Sequence, residues 1–245
     1  MARLTVVPTP IGNLQDITLR ALSVLQSVDL VLAEDTRTSS VLMKHFEIEK
    51  PMESLHKFNE YKNCEHLIER ISKRDLWVAL ISDAGTPGIN DPGALLIREC
   101  IAEGISVECL PGPTAFVPAI VASGLSTERF CYEGFLPVKK GRQTRLAELT
   151  KEERTIIVYE SPHRILRTLK DLISVMGEER KAAVCREISK KFEEYIRGSL
   201  KKLLKHFEEH SPKGEFVLVI EGATPKRKTK EKDLDTYNNQ TEEVL

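Results

Sequence analysis

The stretch VALISDAGTPGINDPG, residues 78–93, joins a short apolar run to a loop rich in glycine and proline. The apolar run is typical of a strand buried on both faces, as in a parallel sheet. Glycine lets a ligand approach the backbone closely, because it carries no side chain. Ligands of open α/β sheets bind outside the carboxyl ends of the strands. The pattern therefore predicts a binding loop from Asp83 onward. A simple strand-to-helix connection would need fewer turn residues than this loop contains.

Two other predicted strands end in similar turns. Residues 111–115, PGPTA, repeat the combination of glycine, proline and a small hydroxyl. Residues 8–13, PTPIGN, contain only one glycine, where a dinucleotide-binding fold would carry G-x-G-x-x-G around a pyrophosphate. No lysine of the P-loop type follows. The sequence therefore predicts a shared cleft whose ligand lacks a pyrophosphate.

The second predicted strand ends in AEDTR, residues 33–37, with two carboxylates and an arginine. Side chains alternate along a strand, so Glu34 and Asp35 cannot both face one side while the strand continues. A cluster at this edge of the sheet would contribute to the cleft. A solvated turn whose aspartate caps the next helix explains the same residues, and both interpretations stay open.

Residues 139–145, KKGRQTR, contain four basic side chains within seven positions. Such a run is commonly a solvated loop at the start of a helix. It is also the pattern of a patch that contacts phosphates beside the cleft.

Residues 206–210, HFEEH, match the H-x-x-E-H pattern of some zinc enzymes. The motif lies in the last predicted turn of a helix, where histidines commonly complement the helix dipole. No third ligand stands nearby in the sequence. We therefore expect no metal site.

The composition is that of an ordinary soluble globular chain. Of its 245 residues, 41% are hydrophobic and 30% are charged, and the net charge is −1. A charge near zero gives no general attraction to nucleic acid, so any RNA contact must rely on local patches. The five cysteines are widely spaced, without a C-x-x-C pair, which fits a reducing compartment. We expect a cytoplasmic protein with no membrane partner, because no run approaches the roughly 18 apolar residues of a membrane span.

Strand and helix signals alternate along the chain, which predicts parallel βαβ units. We expect helices to begin at Asp16, at Asp91 with Pro92, and at Ser161 with Pro162. Glycines 104 and 177 should end two of them. A stretch rich in proline and small residues, 111–130, is interpreted as a hinge, and the same rhythm of strands and helices continues after it. The predicted class is α/β with an N-terminal domain over 1–118, a C-terminal α/β domain over 119–222, and a charged, disordered tail over 223–245.

Six blocks of the sequence, in this order, resemble the ribosomal small subunit methyltransferase I family. They are TPIGNLQDITLRAL, AEDTR, SDAGTPGINDPG, LPGPTA, RFCYEGFLP and YESPHR. The resemblance runs from about Leu4 to Gly222. It implies the tetrapyrrole-methylase fold, two α/β domains with S-adenosylmethionine in the cleft between them, and a homodimer. It also implies 2′-O-methylation of a cytidine, of the C1402 type, in 16S rRNA, either free or in the small ribosomal subunit.

The resemblance also assigns positions in the cleft. The residues that match its cofactor loops are Pro10, Asp83, Ala84, Gly85, Thr86, Pro87, Ile89, Thr114, Ala115 and Glu160. The ribose 2′-hydroxyl is a weak nucleophile near neutral pH, so a positioned base would help. The candidates are Asp35, Glu160 and His163, with Arg37 beside them for a phosphate. The candidate RNA contacts are Lys139, Lys140, Arg142, Arg145, Arg164 and Arg186.

Two alternatives stay open beside this function. C-methylation of a tetrapyrrole is disfavoured by PTPIGN, which stands in place of the glycine-rich first loop with an acidic end in those enzymes. A non-catalytic RNA-binding assembly factor with a vestigial pocket is the other. The apolar helical extension of longer family members is absent after Gly222, which leaves open any RNA contacts that the extension makes.

Overall fold

The computed structural model describes residues 1–224, so the predicted tail lies outside the described residues except for its first two positions. Those two positions continue from the last strand, and the Ala223 amide donates to the Glu152 carbonyl at 2.6 Å. No helix in the described part of the chain is both long and apolar enough to cross a bilayer.

The first half of the chain forms one parallel sheet covered by helices. Its elements are β1 (Arg3–Val6), α1 (Leu19–Ser27), β2 (Leu30–Ala33), α2 (Thr36–His45), β3 (Met52–Ser54), α3 (Glu60–Lys73), β4 (Trp77–Ile81), α4 (Ala94–Ala102) and β5 (Ser106–Cys109). The strand order is β3-β2-β4-β1-β5, and every pairing is parallel. Alternate residues of β4 enter different cores, Ala79 on one face and Leu80 on the other. All five strands therefore end at one edge of the sheet, as the apolar runs predict.

The second half forms a mixed sheet. Its elements are α5 (Phe116–Ser123), β6 (Phe130–Phe135), α6 (Arg142–Leu149), β7 (Thr155–Glu160), α7 (Ile165–Met176), β8 (Lys181–Arg186), β9 (Glu194–Ser199), α8 (Leu200–Glu209) and β10 (Phe216–Ile220). The strand order is β6-β7-β10-β8-β9, and only β6 and β7 run parallel. The alternating rhythm is therefore a poor guide to strand direction here. A parallel pair needs a crossover, whereas a short turn joins β8 to β9.

Helix α5 covers one face of the second sheet. Its buried Ala119 and Ile120 pack with Ile157 of β7 and Val219 of β10. The segment interpreted as a hinge therefore contains a helix of the second core, and the predicted domain boundary after residue 118 falls inside α5. Helices α6, α7 and α8 cover the opposite face.

Three helix starts differ from the prediction. Helix α1 is capped by Thr18, whose hydroxyl accepts from the Ala21 amide, rather than by Asp16. Helix α4 begins after Gly93 instead of at Asp91, and α7 begins at Ile165, beyond Ser161 and Pro162. The predicted ends are confirmed, because α4 stops just before Gly104 and α7 stops at Gly177.

The N-terminal end of α4 is held by a buried carboxylate from α3. One oxygen of Glu60 accepts hydrogen bonds from the amides of Gly93, Leu95 and Leu96, at 3.0, 3.0 and 3.2 Å. Those amides have no partner within the helix. Glu60 thus fixes the end of the loop that leads from β4 to α4.

Candidate active site

A cavity of about 510 Å³ lies between the two sheets. This volume is in the range of small-molecule sites, roughly 300–1,000 Å³. The first half of the chain contributes Ile11, Glu34, Asp83, Ala84, Gly85, Thr86, Ile89, Asn90, Asp91, Thr114 and Ala115. The second half contributes Phe135, Tyr159, Glu160, Ser161, Pro162, Cys185, Ile188, Lys190, Glu215, Phe216 and Val217. The turns that follow β1, β2, β4, β5 and β7 therefore meet at one place.

Hydrogen bonds tie the three turns of the first sheet together. Thr9 and Gly85 exchange two backbone hydrogen bonds of 2.9 Å, which join the turn after β1 to the turn after β4. The Thr9 hydroxyl donates to the Ser82 carbonyl at 3.0 Å, and the Thr86 hydroxyl donates to the Pro113 carbonyl at 3.1 Å. The cavity wall is therefore a linked unit of three loops.

The backbone conformation at residue 85 requires glycine. Its φ is +85°, which side chains rarely adopt. A Cβ there would lie 3.5 Å from Ile11 Cγ2 and 3.8 Å from the Pro113 carbonyl oxygen, both ordinary contacts. The positive φ therefore favours glycine at this position whether or not a ligand approaches it.

Three carboxylates line one end of the cavity. Burial raises the pKa of Asp91 to about 6, and repulsion from Glu34 adds to the rise. Burial also raises the pKa of Glu34 and of Asp83, with a further rise in Glu34 from Asp83. Lys57 lies close enough to lower the pKa of Asp91 in part. No salt bridge within residues 1–224 neutralises any of the three, so this end of the cavity favours a cation or a proton.

Asp35 and Arg37 lie outside the cavity wall. The Asp35 carboxylate caps α2 by accepting from the Arg37 amide at 2.9 Å, and it also pairs with the Arg37 guanidinium at 2.7 Å. Hydrogen bonds from Arg37 lower the pKa of Asp35 to about 2. At Asp35, the segment AEDTR therefore forms the turn that caps α2, whereas the neighbouring Glu34 faces the cavity.

Glu160 lines the cavity, but both of its oxygens are engaged. One accepts from the Ser161 amide at 2.8 Å and lies 3.2 Å from Arg164 Nε. The other accepts from the Thr168 hydroxyl at 2.6 Å. These contacts hold the start of α7 against the end of β7.

The remaining predicted positions are divided between the wall and its surroundings. The predicted cofactor residues that line the cavity are Asp83, Ala84, Gly85, Thr86, Ile89, Thr114, Ala115 and Glu160. Pro10 and Pro87 are buried behind the wall. His163 is exposed in the turn after β7, next to the lining residues Ser161 and Pro162.

Arg142 is wrongly predicted as an RNA contact, because its side chain is only 2% exposed. It donates to Asp171 at 2.7 Å, to the Thr168 hydroxyl at 2.9 Å and to the Pro137 carbonyl at 3.1 Å. Arg142 therefore joins α6 to α7, and through Thr168 it supports Glu160.

The other residues predicted to contact RNA differ in whether their side chains already have partners in the protein. Arg145 pairs with Glu133 and Glu148, and Arg186 pairs with Glu194. Arg164 donates to the Leu136 carbonyl at 2.6 Å. Lys139 and Lys140 are exposed, and neither forms a salt bridge with any residue from 1 to 224. The two lysines are thus the available cations of KKGRQTR.

Several lining residues were missed by sequence reasoning. Asn90, with φ of +66°, donates to the Tyr132 hydroxyl and so connects the β4 loop to the second sheet. Burial raises the pKa of Tyr159, and contacts of its hydroxyl with Thr114 of the first half of the chain and with Tyr132 of the second sheet partly offset this rise. Lys190 lines the opposite wall and pairs with Glu187 and Glu215. The N-D-P-G turn was the available signal for Asn90 and Asp91.

Within residues 1–224, no group of three His, Cys, Asp or Glu side chains is placed to hold a metal ion. The HFEEH histidines lie at the end of α8, where their rings stack with centroids 4.7 Å apart. His206 Nε2 lies 3.7 Å from a carboxylate oxygen of Glu194.

Comparisons with known proteins agree with the arrangement of the two sheets. Residues 3–204 match the family model described as Tetrapyrrole (Corrin/Porphyrin) Methylases. A protein of Synechocystis named Ribosomal RNA small subunit methyltransferase I is 49% identical over 92% of this chain and 81% of its own length. The protein of that name in Escherichia coli O157:H7 is 48% identical over 95% of this chain and 80% of its own. A crystal structure of diphthine synthase shares the fold, with a TM-score of 0.70, 17% identity and 89% coverage of both chains. The two-sheet architecture, the family model and the near-half identity over almost the whole chain lead to one conclusion: the chain belongs to the tetrapyrrole methylase family and, within it, to the ribosomal RNA small subunit methyltransferase I proteins.

Proposed function

We propose that this chain uses S-adenosylmethionine to methylate the ribose 2′-oxygen of a cytidine, of the C1402 type, in 16S rRNA of the small ribosomal subunit. The observation that carries the proposal is the cavity between the sheets, with three unneutralised carboxylates at one end. The names of the relatives supply the RNA substrate. Because the proposed substrate is ribosomal RNA, we also propose that the enzyme works in the cytoplasm. From the family resemblance, we propose that it forms a homodimer.

The residues present fit such a cofactor. Its ammonium and sulfonium groups are cations, which the carboxylates of Glu34 and Asp83 would favour. The turn after β1 has no glycine-rich phosphate cradle, in agreement with a ligand that lacks a pyrophosphate. The residues that would hold it are Gly85, Thr86, Ile89, Thr114 and Ala115, all in the wall.

Asp91 is the proposed proton acceptor. When bound, S-adenosylmethionine supplies a methyl group activated by the positive sulfur. The chain must place the ribose 2′-oxygen and take its proton. Asp91 lines the cavity with a pKa of about 6, so it is ionised near neutral pH and still basic enough to accept a proton. Asp35 is held by Arg37 and Glu160 by Thr168 and Ser161, which leaves them less suited.

The RNA backbone would be held by Lys139 and Lys140 on the turn after β6. This turn follows Phe135, which lines the cavity, so the chain reaches the two lysines within five residues of the cavity wall. Exposed lysines without acidic partners are suited to phosphates.

We expect Lys139→Glu with Lys140→Glu to weaken rRNA binding at least tenfold at low salt and to leave cofactor affinity unchanged. The slope of log affinity against log salt should become shallower, because phosphate contacts are lost. Filter binding across a salt series measures both. The control is Lys44→Glu with Lys50→Glu, which makes the same charge change near the far end of α2. An equal loss in the control would assign the effect to net charge alone.

The substrate class is tested by transfer of a tritiated methyl group. The proposal expects label in rRNA, offered free or as small subunits, and none in a porphyrinogen. Label in the porphyrinogen would favour tetrapyrrole methylation. Binding of rRNA without transfer to either acceptor would favour the assembly factor.

A further inference from the structure

An aromatic turn projects into solvent beside the cavity. Phe58 is 96% exposed and Tyr61 is 82% exposed, at the start of α3. The only ring near Phe58 in the described residues is His56, with centroids 6.1 Å apart. Neither aromatic side chain contributes to a core, so packing within residues 1–224 does not account for them.

The turn is ordered by its own hydrogen bonds. The Asn59 carbonyl oxygen of the side chain accepts from the His56 amide at 2.8 Å, and the Asn59 side-chain amide donates to the Ser54 carbonyl at 2.9 Å. The Phe58 amide donates to His56 Nδ1 at 3.2 Å. The backbone of the turn is therefore held in place before binding, which lowers the entropic cost of ordering it.

The turn is basic and close to the cavity. Lys57 and Lys62 are exposed on either side of the aromatic residues. The Lys57 ammonium donates to the carbonyl of Asn90, which lines the cavity. Glu60, the carboxylate between the two rings in sequence, is buried against the start of α4 and does not offset the lysines at the surface.

We propose that Phe58 and Tyr61 form a stacking platform for unpaired bases of the RNA next to the methylated nucleotide. This inference rests on the proposed function. A ribose can enter a cavity between two sheets only if its nucleotide leaves the base stack, and its neighbours then lose their stacking partners. Exposed aromatic rings flanked by lysines provide both a partner for a base and a charge for its phosphate.

The test replaces the rings and keeps their apolar bulk. We expect the double variant Phe58→Leu, Tyr61→Leu to bind a single-stranded oligonucleotide of 16S rRNA at least about tenfold more weakly, because stacking is worth ~1–3 kcal/mol per base. Its affinity for S-adenosylmethionine should not change. Ile101→Ala, an exposed apolar residue near the end of α4, is the control and should bind RNA as the wild type does.

A second readout is fluorescence, which, like the binding measurement, needs no methyl transfer. The chain has a single tryptophan, Trp77, so the wild type supplies the background for Phe58→Trp. Stacking predicts that Phe58→Trp binds RNA at least as tightly as the wild type and that its additional fluorescence is quenched by the oligonucleotide. An unquenched signal at saturating RNA would contradict the platform.

The outcomes separate the platform from the function. If the wild type methylates rRNA and the double leucine variant binds it within twofold, the platform alone is rejected. If the double leucine variant changes the oligomeric state in light scattering but not RNA binding, the rings belong to a contact between copies of the chain. If the wild type neither binds nor methylates rRNA, the proposed function fails as well.

Discussion

Asp91→Asn is expected to lower the turnover number by about 10²–10⁴-fold, the usual contribution of a positioned base. Asparagine has the shape of aspartate but cannot take a proton from the ribose hydroxyl. The affinities for S-adenosylmethionine and rRNA should stay within a few-fold, so the loss appears in turnover rather than in binding. Single-turnover kinetics with saturating RNA measure the step directly.

The pH dependence follows from the pKa of Asp91, which is about 6. In the wild type, kcat/KM should rise as pH increases through about 6, because the ionised carboxylate is the active form. The variant should lack this rise.

The stability of the folded protein should change with pH in the opposite direction to kcat/KM. The folded-state pKa of Asp91 is raised above its ordinary value of 3.8, so ionisation of this group costs stability as pH rises between these two values. Asp91→Asn should therefore increase Tm above pH 6 and have little effect below pH 4.

The matched control for this experiment is Asp35→Asn. Asparagine remains a good helix cap, so α2 should persist. Asp35 lies outside the cavity wall, and its replacement should leave turnover within a few-fold. A large loss in Asp35→Asn with normal turnover in Asp91→Asn would give the base to Asp35 and reject our assignment.

Arg142→Ala is expected to destabilise the protein by about 3–5 kcal/mol, the range for removing one partner of a buried ion pair. Its side chain is 2% exposed and bonds to Asp171, Thr168 and the Pro137 carbonyl, so truncation leaves three polar groups without their donor. Thr168 also donates to Glu160 in the cavity wall, and cofactor affinity should fall as well. Urea unfolding measures the free energy, and calorimetry measures the affinity.

Arg145→Ala is the control, because it removes the same side chain three residues later. Arg145 is 42% exposed and pairs at the surface with Glu133 and Glu148. Such pairs contribute about 0–1 kcal/mol. If the two variants lose the same free energy of unfolding, water replaces the Arg142 contacts. The buried network then stabilises the protein no more than the surface pairs of Arg145 do.

The first sheet could be predicted from the sequence because its information is local. Short apolar runs such as residues 78–81 are followed within a few positions by glycine and proline. The antiparallel pairing of the second sheet could not be predicted, although β7, β8 and β10 themselves were, because β10 enters between β7 and β8 from a distant part of the chain. Strand β9, EYIRGS, was missed since its polar residues resemble a loop.

The same difference between local signals and distant contacts explains which residues of the candidate site could be predicted. Loop residues such as Gly85 and Thr86 were found from their composition and from the family resemblance, and both line the cavity. Asp91 was interpreted as a helix cap, because nothing local shows that the adjacent amides are already bonded by Glu60. Arg142 was assigned to RNA because a run of basic residues does not reveal Asp171, its buried partner on α7.

The position of the methyl group on the product tests the central claim most directly. After transfer of a labelled methyl group to 16S rRNA or small subunits, complete nuclease digestion releases the modified nucleoside for identification. Our account predicts 2′-O-methylcytidine as the labelled product. Label on a carbon or nitrogen of the base would contradict the mechanism, even if rRNA proved to be the substrate.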